Sequence, residues 1–263
     1  MLIKALRKIL FKFNVNLIRT TEDTRLKSFF GLINPVVTDK ELIRIGGDAD
    51  GGYLVPDDLE GLSGCFSPGV AYTATFELEM AKLGIRSYLA DYSVEASPVI
   101  HPLLDFEKKF IGIDTNDMYM TLSDWYATKT RVRGGDYILQ MDIEGAEYEV
   151  LNSIDDVFLK NFRIMVIEFH NLHYLVDPAG FNLVEFSFKK ILKNFEIVHI
   201  HPNNESQPLN YHGFEIPNTM EFTFLRKDRI LQKSPNTSFP HPEDLQNFMD
   251  RDDFPLPKCW YLH

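Results

Sequence analysis

Three carboxylates, three imidazoles and two carboxamides fall at the ends of apolar runs in this chain. Asp142 and Glu144 follow the run Tyr137–Met141 in YILQMDIEGAEYEVL; Glu168 and His170 close FRIMVIEFH; His199 and His201 close EIVHIHP, with Asn203 and Asn204 just beyond. Carboxylates and imidazoles are the side chains best suited to moving protons near neutral pH. Carboxylate oxygens also ligate hard divalent cations. Each has a plainer reading alone: a histidine is more often a structural hydrogen-bonding residue, and Glu144 as an early helix residue would favour the helix dipole. That does not account for Asp142, at the end of an otherwise buried strand. Period-two alternation sets Glu168 beside His170 and His199 beside His201. Acid, acid plus imidazole, and imidazole plus amide are thus delivered by three successive strands to one edge, which implies a functional cluster.

A second candidate set lies earlier. In SPGVAYTATFE the small residues Ser67, Gly69 and Ala71 let a backbone turn approach a ligand closely, and the helix that follows offers its N-terminal amides. About twenty residues on, IRSYLAD ends in Asp91, placed to accept hydrogen bonds from both ribose hydroxyls of a nucleoside. The turn lacks a full G-x-G-x-x-G pattern, and Asp91 capping the next segment is the plainer alternative.

The elements that must position these residues alternate. Strands are expected at 41–47, 50–56, 64–70, 85–91, 106–113, 136–142, 162–170, 196–202 and 220–226. Helices are expected at 2–13, 21–32, 73–84, 122–129, 144–153 and 181–195. Nearly all-apolar strands between amphipathic helices mean an α/β fold, a mostly parallel sheet covered on both faces. The last two strands lack an intervening helix, so the final one is expected to run antiparallel. The boundaries that follow are an N-terminal helical extension (1–39), a core domain (40–227) and an extended tail (228–263) rich in Pro, Asn and Asp.

With 263 residues, 44% hydrophobic and 25% charged, the chain can bury a substantial core. Its net charge of −11 argues against nucleic acid as a partner, which requires a basic field. Two distant cysteines, Cys65 and Cys259, read as a reduced, cytoplasmic setting. No apolar run reaches the ~20 residues of a membrane span, and no cleavage signal follows the basic N-terminus. LIKALRKILFKF carries Lys4, Arg7, Lys8 and Lys12 largely away from its apolar face. It could lie peripherally on an anionic membrane or pack on the domain or a second subunit of a homo-oligomer.

LQMDIEGAEYEVL resembles the K-x-D-x-E-G-x-E-x-x-V-L signature of the FkbM-type methyltransferases, which use S-adenosylmethionine. GGDADGGYLVPDDL, SPGVAYTATFELEMAKLG, YLADYS, TLSDW and VHIHPNN…EFTFLR are similar to other blocks of that group, in order, over residues 40–227. Ala71 stands where related sequences usually carry the second glycine of Gly-x-Gly. The resemblance implies a Rossmann-like seven-stranded methyltransferase sheet with an antiparallel last strand. It implies that Asp50, Gly52, Tyr53, Ser67, Gly69, Glu77, Asp91, Asp124 and Asp142 bind the cofactor. The acceptor it implies is a sugar or glycan hydroxyl, as in polysaccharide biosynthesis. Such a hydroxyl ionises only with help, from a base or a divalent metal. His170, Asp142 and Glu144 are the candidate catalytic residues, and Asp142, Glu168 and His201 the candidate ligands for Mg²⁺ or Mn²⁺. The rivals are an NAD-type oxidoreductase on a similar sheet and a non-catalytic nucleoside-binding module.

Overall fold

The computed structural model describes residues 2–130 and 135–262. Its centre is a seven-stranded sheet. In chain order the strands are β1 (Gly64–Pro68), β2 (Ser87–Ala90), β3 (Leu104–Glu107), β4 (Tyr137–Met141), β5 (Phe162–Phe169), β6 (Phe195–Pro202) and β7 (Met220–Arg226). In space they run β6-β7-β5-β4-β1-β2-β3, and only β7 is antiparallel to its neighbours. This is the Rossmann-like methyltransferase topology, and β1, β4, β5 and β7 are buried almost throughout.

Alternation divides the side chains between two faces. Leu139, Met141, Met165, Ile167, Phe169, Phe222 and Phe224 point into the larger core. There they meet α2 (Asp23–Leu32), α4 (Leu122–Lys129), α5 (Glu147–Ser153) and α6 (Pro178–Ile191). Ile138, Ile164, Val166 and Leu225 point the other way. That face is covered by α3 (Thr75–Lys82) and by an antiparallel pair, Leu42–Ile45 with Tyr53–Pro56. Helices therefore lie on both faces, with the hairpin sharing the second.

Several expected boundaries shift for local reasons. The run 106–113 is two strands: β3 ends at Glu107, and Phe110–Gly112 pairs with Tyr119–Thr121 outside the main sheet. The helix expected from Glu144 starts at Glu147, because Glu144 (φ +57°) and Gly145 (φ +102°) form a left-handed turn first. The bulge between Ile197 and His199 turns Val198 and His199 to the same side of β6. The tail is extended but fastened: Lys233–Pro235 pairs antiparallel with Val36–Thr38, and Trp260 is fully buried, donating Nε1–H to the Glu215 carbonyl at 3.0 Å. Helix α1 (Leu2–Phe11) precedes α2 and leaves Leu6, Ile9 and Phe11 exposed. Among the described residues no helix is long and apolar enough to cross a membrane.

Candidate active site

The first turn of the site is set by a steric constraint. Gly69 follows β1 at φ +89°, and a Cβ placed there would lie 1.4 Å from the Asp142 carbonyl oxygen. No side chain fits, so the end of β1 lies directly on the end of β4. The Asp142 amide donates to Pro68 O at 3.2 Å, and the Gly69 amide to Ala90 O at 2.9 Å, which adds the end of β2. Ala71 takes φ +39°, a conformation that costs a residue bearing a Cβ ~1 kcal/mol or more. Its amide donates to Asp91 Oδ2 at 2.8 Å, while Asp91 Oδ1 accepts from the amide and hydroxyl of Ser93, both at 2.7 Å. Asp91 is buried and ties the first turn to the segment after β2.

Beneath the turn is a buried polar chain. Ser67 Oγ contacts Glu77 Oε1 and Gln140 Oε1, the latter at 2.5 Å, and Gln140 Nε2 donates to the Tyr53 hydroxyl at 3.3 Å. A hydroxyl has one proton to give, so one of the two Ser67 contacts needs a proton from the other partner. Glu77 supplies it: burial pushes its carboxyl from 4.5 up to about 7, against the hydrogen bond with Ser67, which pulls it down. Above this chain, Asp50, Tyr53, Gly69, Glu77, Gln140 and Asp142 line a cleft. The cleft is partly open to solvent, with an empty volume of about 310 Å³.

The structure thus brings Asp50, Tyr53, Gly69, Glu77 and Asp142 to one cleft, with Ser67 beneath it and Asp91 at the far end of the turn. Gly51 lines the cleft where Gly52 was expected. A Cβ on Gly52 would lie 2.0 Å from Gly47 O, so its glycine serves a close backbone approach instead. Asp124 is not among the lining residues; it is exposed near the start of α4, where its carboxylate accepts from Thr115 Oγ1 at 2.5 Å.

The second half of the site is an imidazole among carboxylates. His170 Nε2 lies 3.7 Å from Asp142 Oδ1 and 3.6 Å from Glu144 Oε2, and Nδ1 lies 3.2 Å from Glu147 Oε1. Burial alone would lower the pKa of this imidazolium, but Glu147, Asp142 and Glu144 outweigh it and raise it to about 9. Burial likewise pushes Asp142 above the usual carboxylate range, with His170 pulling back and Glu144 and Glu147 adding to the rise. Glu144 has an exposed side chain, whereas Glu147 is fully buried. Glu147 Oε1 also accepts from the amides of Ile143 and Gly145, both at 3.1 Å, which shapes the loop between β4 and α5. It was missed in the sequence because it reads there as an ordinary first-turn helix acid.

Glu168 and His170 take different hydrogen-bond partners. The strand ends at Phe169, and Asn171 (φ +57°) turns the chain, so period two no longer applies at His170. Glu168 instead accepts from Asn203 Nδ2 at 2.7 Å and sits opposite Glu221 on β7, which accepts from Asn247 Nδ2 at 2.6 Å. Burial raises the pKa of both acids. Of the expected metal ligands, Asp142 clusters with Glu144 and His170, while His201 clusters with His199 and Asp244 from the tail; Glu168 belongs to neither group.

A parallel sheet of this order, with a glycine turn after β1 and a carboxylate after β2, defines the nucleoside-binding α/β class. Residues 83–215, just over half of the chain, match the Methyltransferase FkbM domain, and the chain belongs to that family of S-adenosylmethionine-dependent methyltransferases. The oxidoreductase reading falls with that assignment. No curated protein matches the chain significantly. Among solved structures it is similar to a chain of the fibrillarin/Nop5p complex, at 12% identity and TM-score 0.37, covering 64% of this chain and 74% of that one. It is also similar to a Pyrococcus horikoshii protein assigned as an RNA methyltransferase, at 10% identity and TM-score 0.34, covering 64% and 76%. A third, from work on conversion of a disulfide into a thioacetal in echinomycin biosynthesis, shows 12% identity and TM-score 0.32, covering 63% and 77%. The family assignment rests on the domain match, not on these likenesses.

Proposed function

We propose that this methyltransferase moves the methyl group of S-adenosylmethionine to a hydroxyl of a sugar or glycan. The cofactor lies over the Gly69 turn, its ribose on the one lone pair left on Asp91 Oδ2 and its methionine end beside Asp50, Tyr53 and Glu77. Asp124 serves the adenine. The observation that carries this reading is the Asp142–His170 pair, which adjoins the cleft through the Gly69–Asp142 contact. Alkylation of a hydroxyl by in-line displacement needs the acceptor aligned with the donor and its proton removed. With His170 protonated at neutral pH, Asp142 is the group that takes the proton, and its raised pKa makes it a stronger base than an ordinary carboxylate. Glu147 orients His170, and exposed Glu144 contacts the acceptor.

A divalent cation is a second route to the same end. Asp142 Oδ1 is buried with no hydrogen-bond partner and clusters with Glu144 and His170, which fits Mg²⁺ or Mn²⁺ held by the Asp142 and Glu144 carboxylates. Such an ion would lower the pKa of a hydroxyl bound to it, and its charge would favour the neutral form of His170, which could then serve as base. The exposed apolar residues of α1 and Phe13, alternating with Arg7, Lys8 and Lys12, support an acceptor met at an anionic membrane surface.

The test is methyl transfer from labelled S-adenosylmethionine to a panel of hexoses, deoxyhexoses and lipid-linked glycans, with EDTA and with Mg²⁺ restored. Transfer in EDTA would remove the metal route. Binding of S-adenosylhomocysteine with no transfer to any panel member would overturn the glycan assignment. Sedimentation with anionic but not neutral vesicles tests the membrane contact.

A further inference from the structure

Away from the methyl-transfer cleft, the far edge of the sheet carries two buried histidines that the reaction does not use. His199 and His201 are two residues apart on β6, facing the side of Thr223 and Glu221 rather than the phenylalanine core. They are 2% and 7% exposed. The tail crosses them at Asp244, which is held in a tight turn: its amide donates to His241 O at 2.9 Å and its Oδ2 accepts from the His241 amide at 2.7 Å. That leaves Oδ1 facing the imidazoles, 2.8 Å from His199 Nε2 and 3.6 Å from His201 Nδ1.

We propose that His199, His201 and Asp244 bind a zinc-class transition-metal ion that fastens the tail to the edge of the sheet. This is independent of the acceptor and of any cation at Asp142. Two observations carry it. First, the three ligand atoms lie within 4.8 Å of one another, and the two distances to Oδ1 bracket the ~3.4 Å that separates tetrahedral ligands on bonds of about 2.1 Å. Second, none of the four ring nitrogens has a partner in hydrogen-bond geometry, although both rings are more than nine-tenths buried. Oδ1 is close to both rings but off the line of a ring N–H. Buried polar groups are ordinarily paired. Oδ1 thus satisfies neither ring by a hydrogen bond, whereas one cation accepts a lone pair from each ring and from Oδ1. Two imidazoles and a carboxylate suit Zn²⁺ or Co²⁺ and not Mg²⁺. A cavity of about 270 Å³ beside His201 and Asp244 leaves room for water as the fourth ligand.

The fastening has a consequence for the cleft. Three residues after Asp244, Asn247 donates Nδ2–H to Glu221 Oε1 at 2.6 Å, and its carbonyl accepts from the Asp50 amide at 3.3 Å. The tail therefore braces the glycine turn that borders the cofactor cleft, and the ion holds that brace in place.

The full chain, stripped with chelator, is titrated with Zn²⁺, Co²⁺ and Mg²⁺ while metal content and hydrogen exchange are measured. One Zn²⁺ per chain is expected, with visible d–d absorption for Co²⁺, no Mg²⁺ competition and slower exchange across 241–250. Asp244→Asn and His201→Gln each weaken Zn²⁺ by on the order of 100-fold or more, and Asp142→Asn retains it. Absence of stoichiometric Zn²⁺, or its loss in Asp142→Asn but not Asp244→Asn, overturns the proposal. Should the tail variants not fold, Zn²⁺ binding to the unaltered chain without added protection across 241–250 overturns it equally.

Discussion

Replacing Glu77 by glutamine tests the polar chain under the first turn. Below pH 4.5 the carboxyl is protonated in both the native and unfolded chains. Between 4.5 and about 7 the unfolded chain releases that proton and the native chain keeps it. The native state then binds more protons, so stability falls as pH rises across this interval. At 1.36 kcal/mol per pH unit, the interval corresponds to a loss of ~3 kcal/mol, complete by about pH 7. Glutamine is nearly isosteric and can donate to Ser67 at every pH, so Glu77→Gln should match the parent at pH 4 and exceed it by up to ~3 kcal/mol at pH 8. Urea unfolding of both proteins from pH 4 to 8 measures the difference, and titrations common to the two cancel. Parallel stability curves would refute the claim that Glu77 is held protonated in the fold, and with it the assigned direction of the Ser67 hydrogen bond.

The other predictions concern the chemistry and the turn. Asp142→Asn should lower kcat by ~10²–10⁴ with little effect on the affinity for S-adenosylhomocysteine, read from steady-state kinetics and calorimetry. In EDTA, Glu147→Gln should drop the His170 pKa from about 9 by ~1–3 pH units, read by NMR of the ring; an unmoved titration would mean Glu147 does not set it. Gly69→Ala should destabilise the protein by at least ~3 kcal/mol or prevent folding, because the added carbon meets the Asp142 carbonyl rather than a movable side chain.

The sheet was legible because each core strand is a dense apolar run, and the antiparallel final strand because no helix separates it from β6. Asp91 and Gly69 could be singled out because a small-residue turn after one strand and an acid at the end of the next both leave local marks. The second half of the site was less legible. Glu147 looks like any acid at the start of a helix until the Glu144–Gly145 turn folds it back under His170. Asn247 and Asp244 lie in a Pro-rich tail with no periodicity to place them, and they reach the sheet through tertiary contacts alone. The hydrogen bond of Glu168 with Asn203 joins two strand ends, and no local pattern marks it.

The bulge at Val198 decides which chemistry the edge strand can offer. Strand side chains behave as a parity code, and one surplus residue inverts every symbol after it. Were Val198 paired as a regular strand residue, His199 and His201 would exchange sides with Ile200 and thrust two imidazoles among Phe222 and Phe224. The irregularity therefore acts as a switch in the reading frame of the sheet, and it is what permits a hydrocarbon-packed strand to finish as a polar one.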